Sequence, residues 1–263
     1  MELTLELTTL LGLGVAAFVA GFIDAVADGG GLLVILALLS TGMAPHWVLG
    51  TNKLIGTFGT LSAALTFIRK GLFQPSLWWL MSLATLLDAL FGALLIFMIS
   101  AGILKKLLPL AILATAAYLV WPRRTLLPHN AIPSPPQQLP GRPGIQLLTG
   151  GLIGFYDGFI GPGTGAFWTV AALRLFRLDL VAAAGVARFM NFISNAVALA
   201  IFIVFGNIDY ALGLTMGSAL TLGSALGAHS AIRYGTSFIR PVFLRGVGHG
   251  GLVIARRIAE PAL

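Results

Sequence analysis

G-F-I-D-A-V-A-D-G-G-G, residues 21–31, and G-F-Y-D-G-F-I-G-P-G-T-G, residues 154–165, repeat one pattern about half the chain apart: an aspartate, then a glycine-rich break inside an apolar run. Three glycines in succession, Gly29, Gly30 and Gly31, or the Gly-Pro-Gly-Thr-Gly that begins at Gly161, end a helix. At membrane depth the freed backbone N–H and C=O groups cannot face lipid. They are buried in protein or line a wet cavity. A helix that restarts beyond such a break points its N–H groups and the positive end of its dipole into that cavity, which suits an anion. The competing reading is a glycine hinge for close helix packing.

The composition places these breaks in a membrane protein. Of 263 residues 57% are hydrophobic and 10% charged, against about a quarter charged in soluble domains, and the mean hydropathy is +0.95. Several apolar runs approach the ~20 residues needed to cross a bilayer as helix. They do not alternate as barrel strands do. The formal charge of +7 comes mostly from bases between the apolar runs, where cations snorkel to lipid headgroups, so a nucleic-acid partner is not expected. Cysteine is absent, which removes disulfides and thiolate metal sites. The N-terminus, M-E-L-T-L-E-L, has no basic residue and so lacks the positive n-region of a secretory signal, and the first run is expected to stay as a membrane helix.

The expected fold is all-α: a polytopic transmembrane bundle of about 8 helices in two repeated halves, with broken helices or re-entrant hairpins at the glycine motifs. The apolar segments lie near 5–27, 47–68, 76–99, 103–121, 145–171, 180–205, 208–231 and 238–255. The last is interrupted by Arg245, His249 and several glycines. Residues 122–143 are dense in proline and cannot continue a helix. They are read as the connector between a first repeat, 1–121, and a second, 144–263. The Lys/Arg distribution does not fix orientation, and the repeats are parallel or inverted according to whether each break is a hairpin.

The repeat extends past the breaks. Residues 50–60, G-T-N-K-L-I-G-T-F-G-T, and 185–195, G-V-A-R-F-M-N-F-I-S-N, each place one base, Lys53 or Arg188, early in an otherwise uncharged apolar helix. A base there is costly unless it faces a cavity or a partner. It neutralises an anionic substrate, or snorkels, or pairs with Asp24, Asp88 or Asp157. Thr51, Asn52, Thr164, Asn191 and Asn195 carry side chains that hydrogen-bond ligand oxygens, although such groups also bond between helices. Asn191 and Asn195 share a helix face with Arg188. Asp24 and Asp157 precede the breaks; they relay protons or bind cations, cap the restarting helix, or pair with the bases. Asp88, alone in segment 76–99, is a third candidate for coupling or pairing. Asp28 stands in the first break where the second has Gly161, and an acid there repels an anion unless it is paired or protonated. His46, His129, His229 and His249 show no ligand spacing, so neither a metal nor a cofactor is expected, and no catalytic arrangement stands out.

These motifs resemble the sulfite exporter TauE/SafE family, also called the toluene sulfonate uptake permeases. G-F-I-D-A-V-A-D-G-G-G-L-L with L-G-T-N-K-L is similar to its first-half pattern, and G-F-Y-D-G-F-I-G-P-G-T-G-A-F with R-F-M-N-F-I-S-N to its second. The resemblance spans about residues 10–242. It implies a bacterial inner-membrane secondary transporter of small anions, mostly sulfur-containing, such as sulfite, sulfoacetate and other organosulfonates. It also implies Gly29, Gly30, Gly31, Thr51, Asn52, Lys53, Gly161, Gly163, Arg188, Asn191 and Asn195 as motif positions. Asp28, in place of an expected glycine, and Arg188, in place of an expected lysine, depart from the pattern.

The resulting expectation is one midplane site at which each half donates half-helix N–H groups and one base, moved by alternating access with protons carried by Asp24, Asp157 or Asp88. Lys53→Ala is expected to remove anion binding and leave folding intact. The alternatives are an anion channel and a non-transporting scaffold subunit. The partners expected are a small anion and membrane lipid, and the small-residue faces are compatible with a homodimer.

Overall fold

The computed structural model describes residues 7–120 and 142–245, and among them all regular structure is helical. The helices are α1 (Leu7–Ala27), α2 (Gly30–Leu39), α3 (Pro45–Arg69), α4 (Trp79–Phe97) entered by a 3₁₀ turn (Pro75–Trp78), α5 (Ala101–Val120), α6 (Pro143–Phe159), α7 (Thr164–Leu175), α8 (Leu180–Val204) and α9 (Tyr210–Arg245). Nine α-helices among the described residues correct the expected eight. Segment 145–171 divides into α6 and α7 because Gly161 and Gly163 sit at φ +82° and +77°, which no α-helix can contain. The described part of segment 238–255 belongs to α9, whose helical path breaks once, at Gly235 (φ 63°, ψ −155°). The rest of that segment, and the connector up to residue 141, lie outside the described residues.

Local chemistry sets several helix starts. Pro45 and Pro143 occupy the first turns of α3 and α6, where a missing N–H costs nothing. Asp179 caps α8, accepting from the N–H of Val181 at 2.9 Å and of Ala182 at 3.0 Å. Asp209 does the same for α9, accepting from Leu212 N at 2.9 Å.

Among the described residues, five spans are long and apolar enough to cross a membrane: Leu7–Ala27, Pro75–Phe97, Ala101–Tyr118, Leu180–Val204 and Tyr210–Val242. Their outer faces carry exposed large apolar side chains, among them Leu11, Val15, Leu87, Phe91, Leu110, Leu214 and Leu222. In water such a surface is a liability; in lipid it is the natural solvent. The chain is a multi-pass membrane protein. α3 is not among the five, although its 25 residues reach ~37 Å at 1.5 Å per residue. Thr51, Asn52, Lys53 and Thr60 make it polar, and they are buried. α3 packs against α8 and α9, so much of its surface meets protein rather than lipid.

α3 and α8 lie side by side and antiparallel. Gly50 faces Phe202, Gly56 faces Asn195 and Gly185 faces Phe67. α1 packs most extensively on α9, and α6 on α4. At both of those crossings a glycine admits the neighbouring backbone: a Cβ on Gly227 would lie 2.6 Å from the Phe22 carbonyl oxygen, and one on Gly92 would lie 2.2 Å from that of Phe155.

Candidate functional site

The two breaks meet at the centre of the bundle. At the first, Asp28 takes a left-handed backbone, φ +61°, unusual for any residue but glycine, asparagine or aspartate. The chain then turns back on α1: the Gly30 N–H donates to Asp24 Oδ1 at 3.0 Å, and a Cβ on Gly30 would lie 2.1 Å from the Ala20 carbonyl oxygen. At the second, the Tyr156 hydroxyl donates to the Pro162 carbonyl at 3.1 Å, and so does Thr115 Oγ1 at 3.1 Å. That carbonyl, freed by the break, is thereby satisfied from α6 and α5.

A cavity of about 50 Å³ separates the breaks. A water takes about 10–15 Å³ by this measure, so the space suits a few waters or one compact oxyanion. Asp24, Asp28, Gly29 and Gly31 line one side, and Asp157, Gly161, Gly163, Thr164 and Gly165 the other, with Asn52, Lys53, Gly56, Thr60, Asn191 and Asn195 from α3 and α8.

The bases are paired with acids brought from the other side of the connector. Lys53 Nζ is 2.8 Å from Asp157 Oδ1 and 2.6 Å from the Asp157 carbonyl. The second carboxylate oxygen of Asp157 accepts from Ser194 Oγ. With its amide nitrogen turned to that oxygen, Asn191 donates to Asp157 Oδ2 at 3.1 Å and to Thr164 Oγ1 at 3.2 Å, and accepts from Gly165 N at 3.3 Å. Arg188 Nη1 is 2.8 Å from Asp24 Oδ2, and its Nη2 meets Asp28 Oδ1. Thr169 Oγ1 donates to Asp28 Oδ2. Neither base snorkels: Lys53 is 1% exposed and Arg188 0%.

Most of the sequence candidates converge here, but four do not line the cavity. Arg188 lies behind Asp24 and Asp28, so it reaches the space through carboxylates. The Thr51 hydroxyl accepts from the Asp209 N–H at 3.0 Å and so fixes the start of α9. Gly30 is spent on the turn. Asp88 lies between α4 and α6 beside Gly151, where a Cβ would be 3.2 Å from its Oδ2. Thr169 carries no signal in the sequence, because a threonine in an apolar helix is ordinary; Gly165 is the last glycine of the second break.

The Lys53–Asp157 pair also corrects the expected outcome of Lys53→Ala. That substitution leaves Asp157, 1% exposed, without its cation, so folding is not left intact.

The family model described as sulfite exporter TauE/SafE matches residues 13–252. A probable membrane transporter protein of Haemophilus influenzae is 39% identical over 242 residues, 92% of each chain. One from Sinorhizobium, ORF9, is 38% identical, covering 88% of this chain and 86% of its own. YfcA of Escherichia coli K12, also named a probable membrane transporter protein, is 35% identical, covering 88% of this chain and 85% of its own. No solved structure matches the chain. With the family model covering most of the sequence and relatives matched along nearly their whole length, the chain belongs to the sulfite exporter TauE/SafE family of membrane transporters.

Proposed function

We propose that this protein carries small sulfur-containing anions, such as sulfite, sulfoacetate or other organosulfonates, across the bacterial inner membrane by alternating access. The observation that carries the reading is the placement of Lys53 on the cavity wall beside Asn52, Asn191 and Asn195, between the starts of α2 and α7. An ammonium, three amides and two helix N-termini around one cavity are donors for an oxyanion. Asp157 holds Lys53 while the site is empty, and an entering anion competes with that carboxylate for the ammonium.

Alternating access is supported by how the helices pair. Gly50 meets Phe202 on the antiparallel α3 and α8, and Gly185 meets Phe67. The α1–α9 contact at Phe22 and Gly227 has its counterpart in the α6–α4 contact at Phe155 and Gly92. Equivalent helices running in opposite directions support an inverted repeat with the site between its two halves. Rocking one half against the other opens the site to either side.

Thermal stability of the purified protein against sulfite, thiosulfate, sulfoacetate, taurine, carboxylate analogues and phosphate tests this reading. A ligand at 100 times its Kd adds about 2.7 kcal/mol of apparent stability. A rise in melting temperature with sulfite or sulfonates, reduced in Asn191→Ala and Asn195→Ala, is expected. The absence of a rise with any anion in the panel would contradict it.

A further inference from the structure

The geometry points to Asp28 as the residue that takes up a proton when the anion binds, which makes transport proton-coupled. The inference rests on the transport reading above and adds to it the co-substrate and its site.

Around the cavity stand two bases, Lys53 and Arg188, and three acids, Asp24, Asp28 and Asp157. With all five ionised the site carries one net negative charge, away from bulk water. An anion added to that set is repelled in a medium that screens poorly. A positive charge has to enter with it. The cavity, about 50 Å³, leaves little room for a second hydrated ion beside the substrate, whereas a proton needs none.

The partners of each carboxylate single out one acid. Asp157 has Lys53 to itself, with Asn191 and Ser194 on its other oxygen. Asp24 accepts from the Gly30 backbone N–H. An amide N–H only donates, so a proton on the oxygen it faces would set donor against donor. Asp28 shares the Arg188 guanidinium with Asp24, and its other oxygen meets the Thr169 hydroxyl. A hydroxyl donates or accepts with equal ease. When Asp28 takes a proton on Oδ2, Thr169 Oγ1 accepts it and turns its own hydrogen to a main-chain carbonyl one turn back, as helical threonines do, while Arg188 keeps Asp24. The groups facing Asp28 are then complete: Asp24 from α1, Thr169 and Gly165 from α7, and Arg188 from α8, with Lys53 and Asp157 elsewhere on the cavity wall. The proton comes from water on the side of substrate entry and leaves with the substrate on the other.

The test uses the full chain in proteoliposomes loaded with a pH-sensitive dye, with labelled sulfoacetate and sulfite as probes. Two quantities are read: counterflow of label, and proton influx on adding unlabelled probe outside. The wild type is expected to show both. Asp28→Asn is expected to lose proton influx to the level of empty vesicles while label still exchanges, at an altered rate. Asp28→Gly, which relieves the left-handed backbone, is expected to behave the same way. Proton influx retained in either variant overturns the inference. So does wild-type flux that follows a sodium gradient and ignores the proton gradient. Loss of counterflow in both variants also overturns it, because Asp28 then serves substrate movement itself. Absence of counterflow in the wild type is a different result, and it counts against the transport reading.

Discussion

Lys53 Nζ stands 2.8 Å from Asp157 Oδ1, and both side chains are 2% exposed. The pair joins α3 to α6 across the connector, and Arg188 with Asp24 joins α8 to α1 in the same sense. Each early base therefore finds its acid on the broken helix of the other half of the chain. Removing one member of a buried pair costs about 3–5 kcal/mol. Lys53→Ala is expected to destabilise by that order, and adding Asp157→Asn to recover part of the loss. Unfolding midpoints of the two single variants and the double variant, in one detergent, check this. Equal destabilisation with no recovery would mean the groups act independently.

Arg188 uses two nitrogens for two carboxylates, Asp24 and Asp28. Lysine supplies one nitrogen without the planar fork. Arg188→Lys is expected to give up the ion pair with one of the two carboxylates and so to lower the unfolding midpoint, despite keeping the charge. The same unfolding series measures it.

Two helix crossings depend on the lack of a side chain at Gly92 and Gly227. Alanine at either forces the neighbouring backbone away, at about 1–3 kcal/mol. Gly12 has nothing within 4 Å of its would-be Cβ, and alanine there is expected to stabilise by roughly 0.5–1 kcal/mol through helix propensity. Opposite signs at Gly92 and Gly12 are the outcome to look for in melting temperatures.

Thr51 and Asn195 separate support from binding. The Thr51 hydroxyl positions the start of α9, so Thr51→Ala is expected to lower the melting temperature and leave the ligand-induced rise intact. Asn195 lines the cavity, so Asn195→Ala is expected to do the reverse. The same rise measured with and without anion distinguishes them.

Much of the site was legible in the sequence because membrane depth makes its parts conspicuous. A lone lysine in an apolar helix and three glycines in a row have few tolerable places, and both reach the cavity. Their partners were less legible. Asp157 was open to capping, coupling or pairing, and the choice of Lys53 depends on α3 and α6 meeting, which local pattern does not encode. Asp28 read as an obstacle to an anion site until Arg188 and Thr169 were seen beside it. Thr51 and Asp88 have the right chemistry in the wrong direction, since hydropathy does not say which face of a helix turns inward. α9 runs to Arg245 with one break at Gly235, and a single glycine does not announce a kink.

Counterflow in proteoliposomes tests the central claim most directly. Vesicles holding the purified protein and unlabelled sulfoacetate or sulfite are diluted into trace label. Alternating access predicts transient, saturable accumulation of label that requires the trans substrate. Flux that rises linearly with concentration, without dependence on the trans substrate, would contradict it and indicate a channel; no flux with either probe would leave a membrane protein whose central cavity does not carry these anions.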